Sequence, residues 1–493
     1  MWRLSKVRHK ARLHDNSSEQ LRLKRREQEK ALRQARKDRQ LFSKRLLLNE
    51  DDEEELYTEE QDVVKLFQHL QRCGPEKEAS LKHLRRALRH PSAQNTFIKL
   101  ENSMHLLVGL LSGSSSECRL QAVCCLHELS HAPQSTVSAA ILPASSYLLT
   151  YLSGQSSKFT ELCLYTLGNL CPENDVIKEK LLSQGIIPAL VNCLETQMHN
   201  LALVEAVGFT LSQLLQGSKA AEKIAPIVLG SRLPLLLCSV LSPDPEFGLA
   251  PAIECAWCLH YLICSCAPGE CSILLTQGAL SKCSSLLVSI GGTVGEEKTD
   301  EELELLVWPL LRCVGNLVSS CPVELLPGEV HVCLPAALCS LLHTYLKTQP
   351  ALAREAAWVL NNLTAHSVDL CSTLVTCNLL PGLIQLLPFS HGINTMIVRV
   401  LANVAHKKKF YDQLVHVGLL PALCATLKMA DTEMVVLSLD VLYMLFDGNS
   451  KFGEEFVKQG GLSTLEALQY NHEGDLRHRA LYLLEHRLEC YLS

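Results

Sequence analysis

The sequence is poor in aromatic residues, 5% of 493, and holds only 4 tryptophans. Alternating strand-like patterning is almost absent, which excludes a β-rich interior and leaves helices to build the core. Glycine, at 25, and proline, at 20, fall short of collagen-like or proline-rich classes. A membrane-crossing helix needs about 20 apolar residues, and the nearest stretches are interrupted. Leu370–Phe389 contains Pro381, and Val330–Leu346 contains Pro335 beside His331 and His343. Both straddle points where the repeat described below places a helix break, so a buried helix pair accounts for them better than a bilayer. The 22 cysteines show no paired spacing, and Met1–His14 is basic without an apolar stretch, unlike a secretory leader. A reducing, intracellular setting is the expectation.

No Ser/His/Asp set, phosphate-binding glycine loop or paired-carboxylate signature stands out, so an enzyme is not expected. Cys255-x-x-Cys258-x-His260 and the Cys124–His131 group lack a second ligand pair at zinc-finger spacing. Packing is the better account of both, since free cysteine behaves as a small buried hydrophobe. Neither a metal nor a cofactor is expected.

Charge is present but unevenly divided. The whole chain has 46 Lys and Arg against 52 Asp and Glu; residues 1–50 hold 16 and 6 of these, a net of +10, leaving −16 for the rest. Asp51–Glu55 marks the switch. The sequence thus divides into a basic arm (1–50), an acidic linker (51–61) and a body (62–493). Nucleic acid would be repelled by the acidic body and is not an expected partner.

The body repeats. A Gly/Pro-marked turn opens one apolar helix, and a later helix ends in a Leu-x-Asn-Leu-like tag. The openings are Gly185-Ile-Ile-Pro188, Val332-Cys-Leu-Pro335, Leu379-Leu-Pro381 and Gly418-Leu-Leu-Pro421, with Gly278 and Gly461 as versions without proline. The tags are Glu128, Asn169, Gln213, Tyr261, Asn316, Asn362, Asn403 and Met444, spaced by 41, 44, 48, 55, 46, 41 and 41 residues. The widest gap contains Gly291–Glu302, which reads as an inserted surface loop. A helical period of this length fits armadillo or HEAT units, whose apolar faces are buried only by stacking. The expected fold is an all-α superhelical solenoid of about ten repeats. Asp62–Arg89 is a partial first unit, Gln459–Leu492 a polar cap, and a basic helical arm lies ahead of them.

Four residues before each tag, on the same helix face, a second series runs Cys124, Tyr165, Phe209, Trp257, Arg312, Trp358 and Arg399. Stacking turns such pairs into a ladder along the concave side. Asparagine there offers a donor and an acceptor to an extended peptide backbone, and tryptophan a wall for Lys and Arg side chains. Glu254 and Glu355 share the stripe, three residues before Trp257 and Trp358. Packing and capping explain any single pair; the ordered series favours a groove.

In these residues the chain resembles the importin-alpha (karyopherin-alpha) family of nuclear import adaptors. Arg354-Glu-Ala-Ala-Trp-Val-Leu-Asn-Asn-Leu-Thr364 and Leu311-Arg-Cys-Val-Gly-Asn-Leu-Val318 look like family sequence, and the order Trp257/Tyr261, Arg312/Asn316, Trp358/Asn362 matches its fifth to seventh repeats. The resemblance covers nearly the whole chain. It implies an armadillo solenoid whose groove holds basic nuclear localisation signals through Tyr165, Asn169, Glu254, Trp257, Tyr261, Arg312, Asn316, Glu355, Trp358, Asn362 and Asn403. Leu21–Glu27 and Leu32–Arg45 resemble the family's importin-beta-binding segment. That likeness implies that Lys24, Arg25, Arg26, Arg33, Arg36, Lys37, Arg39, Lys44 and Arg45 contact an importin-beta-type receptor, or that Lys24–Arg26 fold back into the groove. Read without the family, residues 19–48 form a basic helix, equally a solvated arm or a short coiled coil.

Departures from the family pattern shift the expected binding site. Where the family's major site has three Trp/Asn pairs, this chain has Cys124/Glu128, Tyr165/Asn169 and Phe209/Gln213. Peptide binding is therefore expected near Trp358/Asn362. The expected function is an adaptor carrying cargo peptides between cytoplasm and nucleus. Two other readings stay open: a scaffold that has lost signal binding, and a membrane-associated protein.

Overall fold

A computed structural model of the chain describes residues 23–36, 38–39, 60–72, 76–154, 156–172, 174–217, 219–266, 269–293, 301–320, 328–388 and 392–489. Helices dominate, and the one β feature among the described residues is an isolated bridge, Asp244 to Gly248. The fold is an all-α armadillo-repeat solenoid with a basic helical arm. It divides into two compact units, one of residues 37–279 and the other of residues 1–36 with 280–493.

The repeat follows from local chemistry. Gly185 and Gly418 adopt φ of 84° and 86°, a left-handed turn that a side chain resists, just before the helices Ile186–Gln197 and Leu419–Thr426. Asn378 does the same at φ 54° before Leu380–Gln385. Pro188, Pro381 and Pro421 fall within the first turn of these helices, where backbone N–H groups have no intrahelical partner. Helix Gly328–Thr348 departs from that expectation. It runs unbroken through Pro335, where the carbonyl deprived of a donor belongs to partly exposed His331, next to exposed Val332 and Cys333.

Every tag lies on a long helix: Ser116–Ser130, Ser157–Leu170, Leu201–Leu214, Ala250–Ser265, Glu301–Ser320, Pro350–His366, Ile393–Ala405 and Thr432–Gly448. Within residues 37–279 the first four of these pack in succession. Within the other unit Glu301–Ser320 packs on Pro350–His366, then Ile393–Ala405, Thr432–Gly448 and the terminal Gly474–Arg487. Their buried faces make a continuous core in each unit. Arg479 and Arg487 pair with Asp440 and Asp447 to fasten the last helix.

Both ends of the expected inserted loop are helical, and its residues 294–300 lie outside the described ones. Gly291 belongs to helix Ala279–Thr293, and a Cβ on it would lie 2.7 Å from that of Ala337. Glu301 and Glu302 already begin the following helix. The apolar stretch from Leu370 is divided between Val368–Thr376 and Leu380–Gln385. Among the described residues no single helix is long and apolar enough to cross a membrane. One pair, Ala220–Leu229 with Leu233–Val240, meets the length and composition test but bends by 76°.

Candidate functional site

The ladder residues of each unit have distinct surroundings. In residues 37–279 they interlock. Tyr165 and Phe209 are buried with ring centroids 5.3 Å apart, and Phe209 lies against Gly168, where a Cβ would come within 2.9 Å of its ring. The Asn169 amide Nδ2 donates to Ser130 Oγ at 3.1 Å and lies 3.2 Å from His131 Nε2, so it is engaged by the preceding helix turn. Trp257 is fully enclosed, its ring 5.6 Å from that of Tyr261. Buried Glu254 accepts from Ser212 Oγ at 3.3 Å. Cys258 Sγ donates to the Gly208 carbonyl, and Cys255 is fully buried, both consistent with packing.

The unit containing residues 280–493 is built differently around Trp358. Its ring sits over Gly315, where a Cβ would fall 2.0 Å from Cζ3. Glycine is what lets this ring lie flat on the preceding repeat. Two guanidinium groups lie over the ring: Arg312 at 4.7 Å and Arg25, from the arm, at 4.6 Å. Both also reach Glu355. Arg25 donates through Nε at 2.7 Å and Nη2 at 3.0 Å, one to each carboxylate oxygen, and Arg312 Nη1 donates at 3.3 Å. Such two-pronged contacts suit the planar guanidinium and not an ammonium.

Glu355 is only 1% exposed. Burial pushes its carboxyl pKa up, but Arg25, Arg312 and Arg354 outweigh that and hold it below the usual carboxylate value. Removing one partner of a buried pair leaves an uncompensated charge, on the order of 3–5 kcal/mol.

The asparagines of this unit also bond within the stack. Asn362 Nδ2 donates to the Gly315 carbonyl at 3.1 Å, and Asn403 Nδ2 to Asn361 Oδ1 and Thr364 Oγ1, both at 3.2 Å. Asn316 and Arg312 are half-buried. Arg399, the last of the ladder series, pairs with Glu433, so its charge is matched locally.

The arm is helical over residues 23–36, Lys24–Arg26 included, as its Leu, Lys, Arg, Glu, Gln and Ala content favours. Arg25 and Arg33 are half-buried and Arg36 is 3% exposed, whereas Lys24, Arg26 and Arg39 remain exposed. Lys37, Lys44 and Arg45 lie outside the described residues. Two features escaped the sequence reading. One is the glycine seat, signalled only by the Gly-Asn dipeptides at Gly168 and Gly315. The other is the triangle of Arg25, Arg312 and Glu355, two of whose members are 330 residues apart.

The arrangement is one that holds an arginine: a carboxylate shielded from water, an aromatic wall and a second guanidinium. A family model described as TMCO6 matches residues 63–488. The chain belongs to the TMCO6 family. It is also 26% identical over 438 residues to importin subunit alpha-9 of Arabidopsis thaliana, spanning 82% of this chain and 78% of that one. A crystal structure of an engineered protein from the Northeast Structural Genomics Consortium superposes with a TM-score of 0.66 at 19% identity, covering 87% of this chain and 98% of its own. That likeness concerns fold alone. Together these similarities describe an armadillo-type helical scaffold and are consistent with a non-enzymatic role for this TMCO6-family chain.

Proposed function

We propose that the protein is an importin-alpha-like adaptor whose arm binds an importin-beta-type receptor and whose groove, at Trp358, Glu355 and Asn362, holds a basic peptide segment of a cargo protein. The seating of Arg25 carries this reading. A side chain of the protein's own basic arm fills a site suited to a peptide arginine, so receptor capture of the arm and cargo entry become one exchange. The importin-alpha relative supports the same assignment and a distribution between cytoplasm and nucleus.

Arm and groove are tested separately. With Arg33, Arg36, Lys37 and Arg39 reversed to Glu, retention by immobilised importin-beta is expected to fall at least tenfold; undiminished retention removes the arm's role. For the groove, a fluorescent arginine-rich peptide should bind more tightly to Arg25→Glu than to the natural chain. Combining Trp358→Ala with Asn362→Ala should abolish that binding at unchanged helicity.

A scaffold that has lost signal binding is the second reading. It is favoured by the ladder amides of Asn169, Asn362 and Asn403, all of which bond within the stack. No gain in peptide affinity on releasing Arg25 would select it.

A further inference from the structure

A cavity of about 670 Å³ opens between the arm helix and helices Glu301–Ser320 and Pro350–His366. Its walls are mixed: Ala31 and Leu32 of the arm and Trp308 and Leu352 of the repeats give apolar surface, and charged and amide side chains make up the rest. Lys24 and Arg354 also face it. Arg354 is 6% exposed, yet its Nε has no hydrogen-bond acceptor among the described residues. The neighbouring Glu355 carboxylate attracts Arg354 electrostatically, but its hydrogen bonds come from Arg25 and Arg312. A buried guanidinium nitrogen without an acceptor is costly and calls for an explanation. Burial accordingly lowers the Arg354 pKa, with Arg25 adding repulsion and Glu355 opposing.

We infer that this cavity is a binding site for a small organic anion, an apolar body carrying one singly charged sulfonate- or carboxylate-type group. The anionic group pairs with Arg354 and Lys24, while the body lies against Trp308, Leu352 and the arm. The volume lies in the range of small-molecule pockets, and the apolar residues among the charged ones leave room for an apolar body beside an anionic group. Glu27 and Glu304 also line the cavity. They limit the site to a single anionic group: a more highly charged ligand would meet their carboxylates. Because the arm forms one wall, a bound anion holds the arm on the repeats. The site is thus a means of setting how readily the arm leaves, a level of control beyond the adaptor reading.

The probe is 8-anilinonaphthalene-1-sulfonate, one sulfonate on an apolar ring system, titrated into the full chain at fixed ionic strength. A single saturable fluorescence enhancement is expected; its absence overturns the proposal. Arg354→Gln removes the pairing cation, and Ala31→Trp fills the cavity from the arm without touching Arg354. Each should weaken the probe at least tenfold while circular dichroism is unchanged. Unaltered affinity in either variant overturns the proposal: in the first the anion contact, in the second the arm wall. If Arg354→Gln alters folding, Ala31→Trp, on an exposed arm position, decides alone. The titration is run without receptor and the receptor retention without probe, so failure of one is distinguishable from failure of the other.

Discussion

The ladder position four residues before the tag is filled by an enclosed tryptophan in one unit and by a tryptophan under two arginines in the other. Trp257 is fully buried and touches Tyr261; Trp358 is 8% exposed and carries Arg312 and Arg25. Helix and rung are equivalent, so the repeat alone does not decide whether a rung becomes core or contact surface. Around Glu355 and Trp358 two guanidinium groups reach both the carboxylate and the ring, whereas Trp257 is enclosed against Tyr261, with Glu254 accepting from Ser212. A buried carboxylate with a guanidinium on it makes its aromatic neighbour a wall for that cation.

This contrast is breakable. Trp257→Ala should show the largest effect, a loss of about 4 kcal/mol, as truncation of an enclosed aromatic creates a cavity. Urea unfolding measures it, and trypsin cleavage within the arm, followed in native buffer, should not change. A loss below 1 kcal/mol would mean that Trp257 is not the core residue its burial indicates. Gly315→Ala comes next. With Trp358 Cζ3 only 2.0 Å from the added carbon, the ring must shift, costing about 2 kcal/mol in strain and accelerating trypsin cleavage in the arm. Equal arm protection in both proteins would deny that the glycine seat positions the ring.

The smallest effect concerns the far end of the second unit. Burial raises the Asp440 carboxyl to about 6, with Arg479 pulling the other way. A carboxyl with a folded value above its unfolded one binds more protons when folded. Its contribution is therefore fully present below the unfolded value of 3.8 and is lost as pH rises through about 6. Asp440→Asn should flatten the fall in stability between pH 4 and 6.5, read from urea midpoints across that range. An identical slope in both proteins would remove Asp440 as its source.

Much of this fold was legible because each unit repeats the same solution. The tags lie where consecutive long helices approach, so sequence spacing and helix spacing coincide. Pro335 misled because a proline reads as a break, while exposure of the neighbouring turn lets the helix continue. Gly291 misled because a glycine read as loop is a close helix contact. The candidate site was legible at Glu355, Trp358 and Asn362, which share one short helix face. The pairing of Glu355 with Arg25 has no local signal, since contact across 330 residues leaves no periodicity to read.

Attaching Arg25 to the same chain as Glu355 has a quantitative consequence. A tethered occupant acts at an effective concentration of order millimolar, irrespective of how much protein the cell holds. On the adaptor reading proposed above, any free peptide competes against that fixed level. Weak, abundant basic sequences would then be excluded, and only a strong binder, or one arriving after the tether has been drawn away, would gain entry. The covalent link works as a discrimination threshold set by chain length rather than by expression.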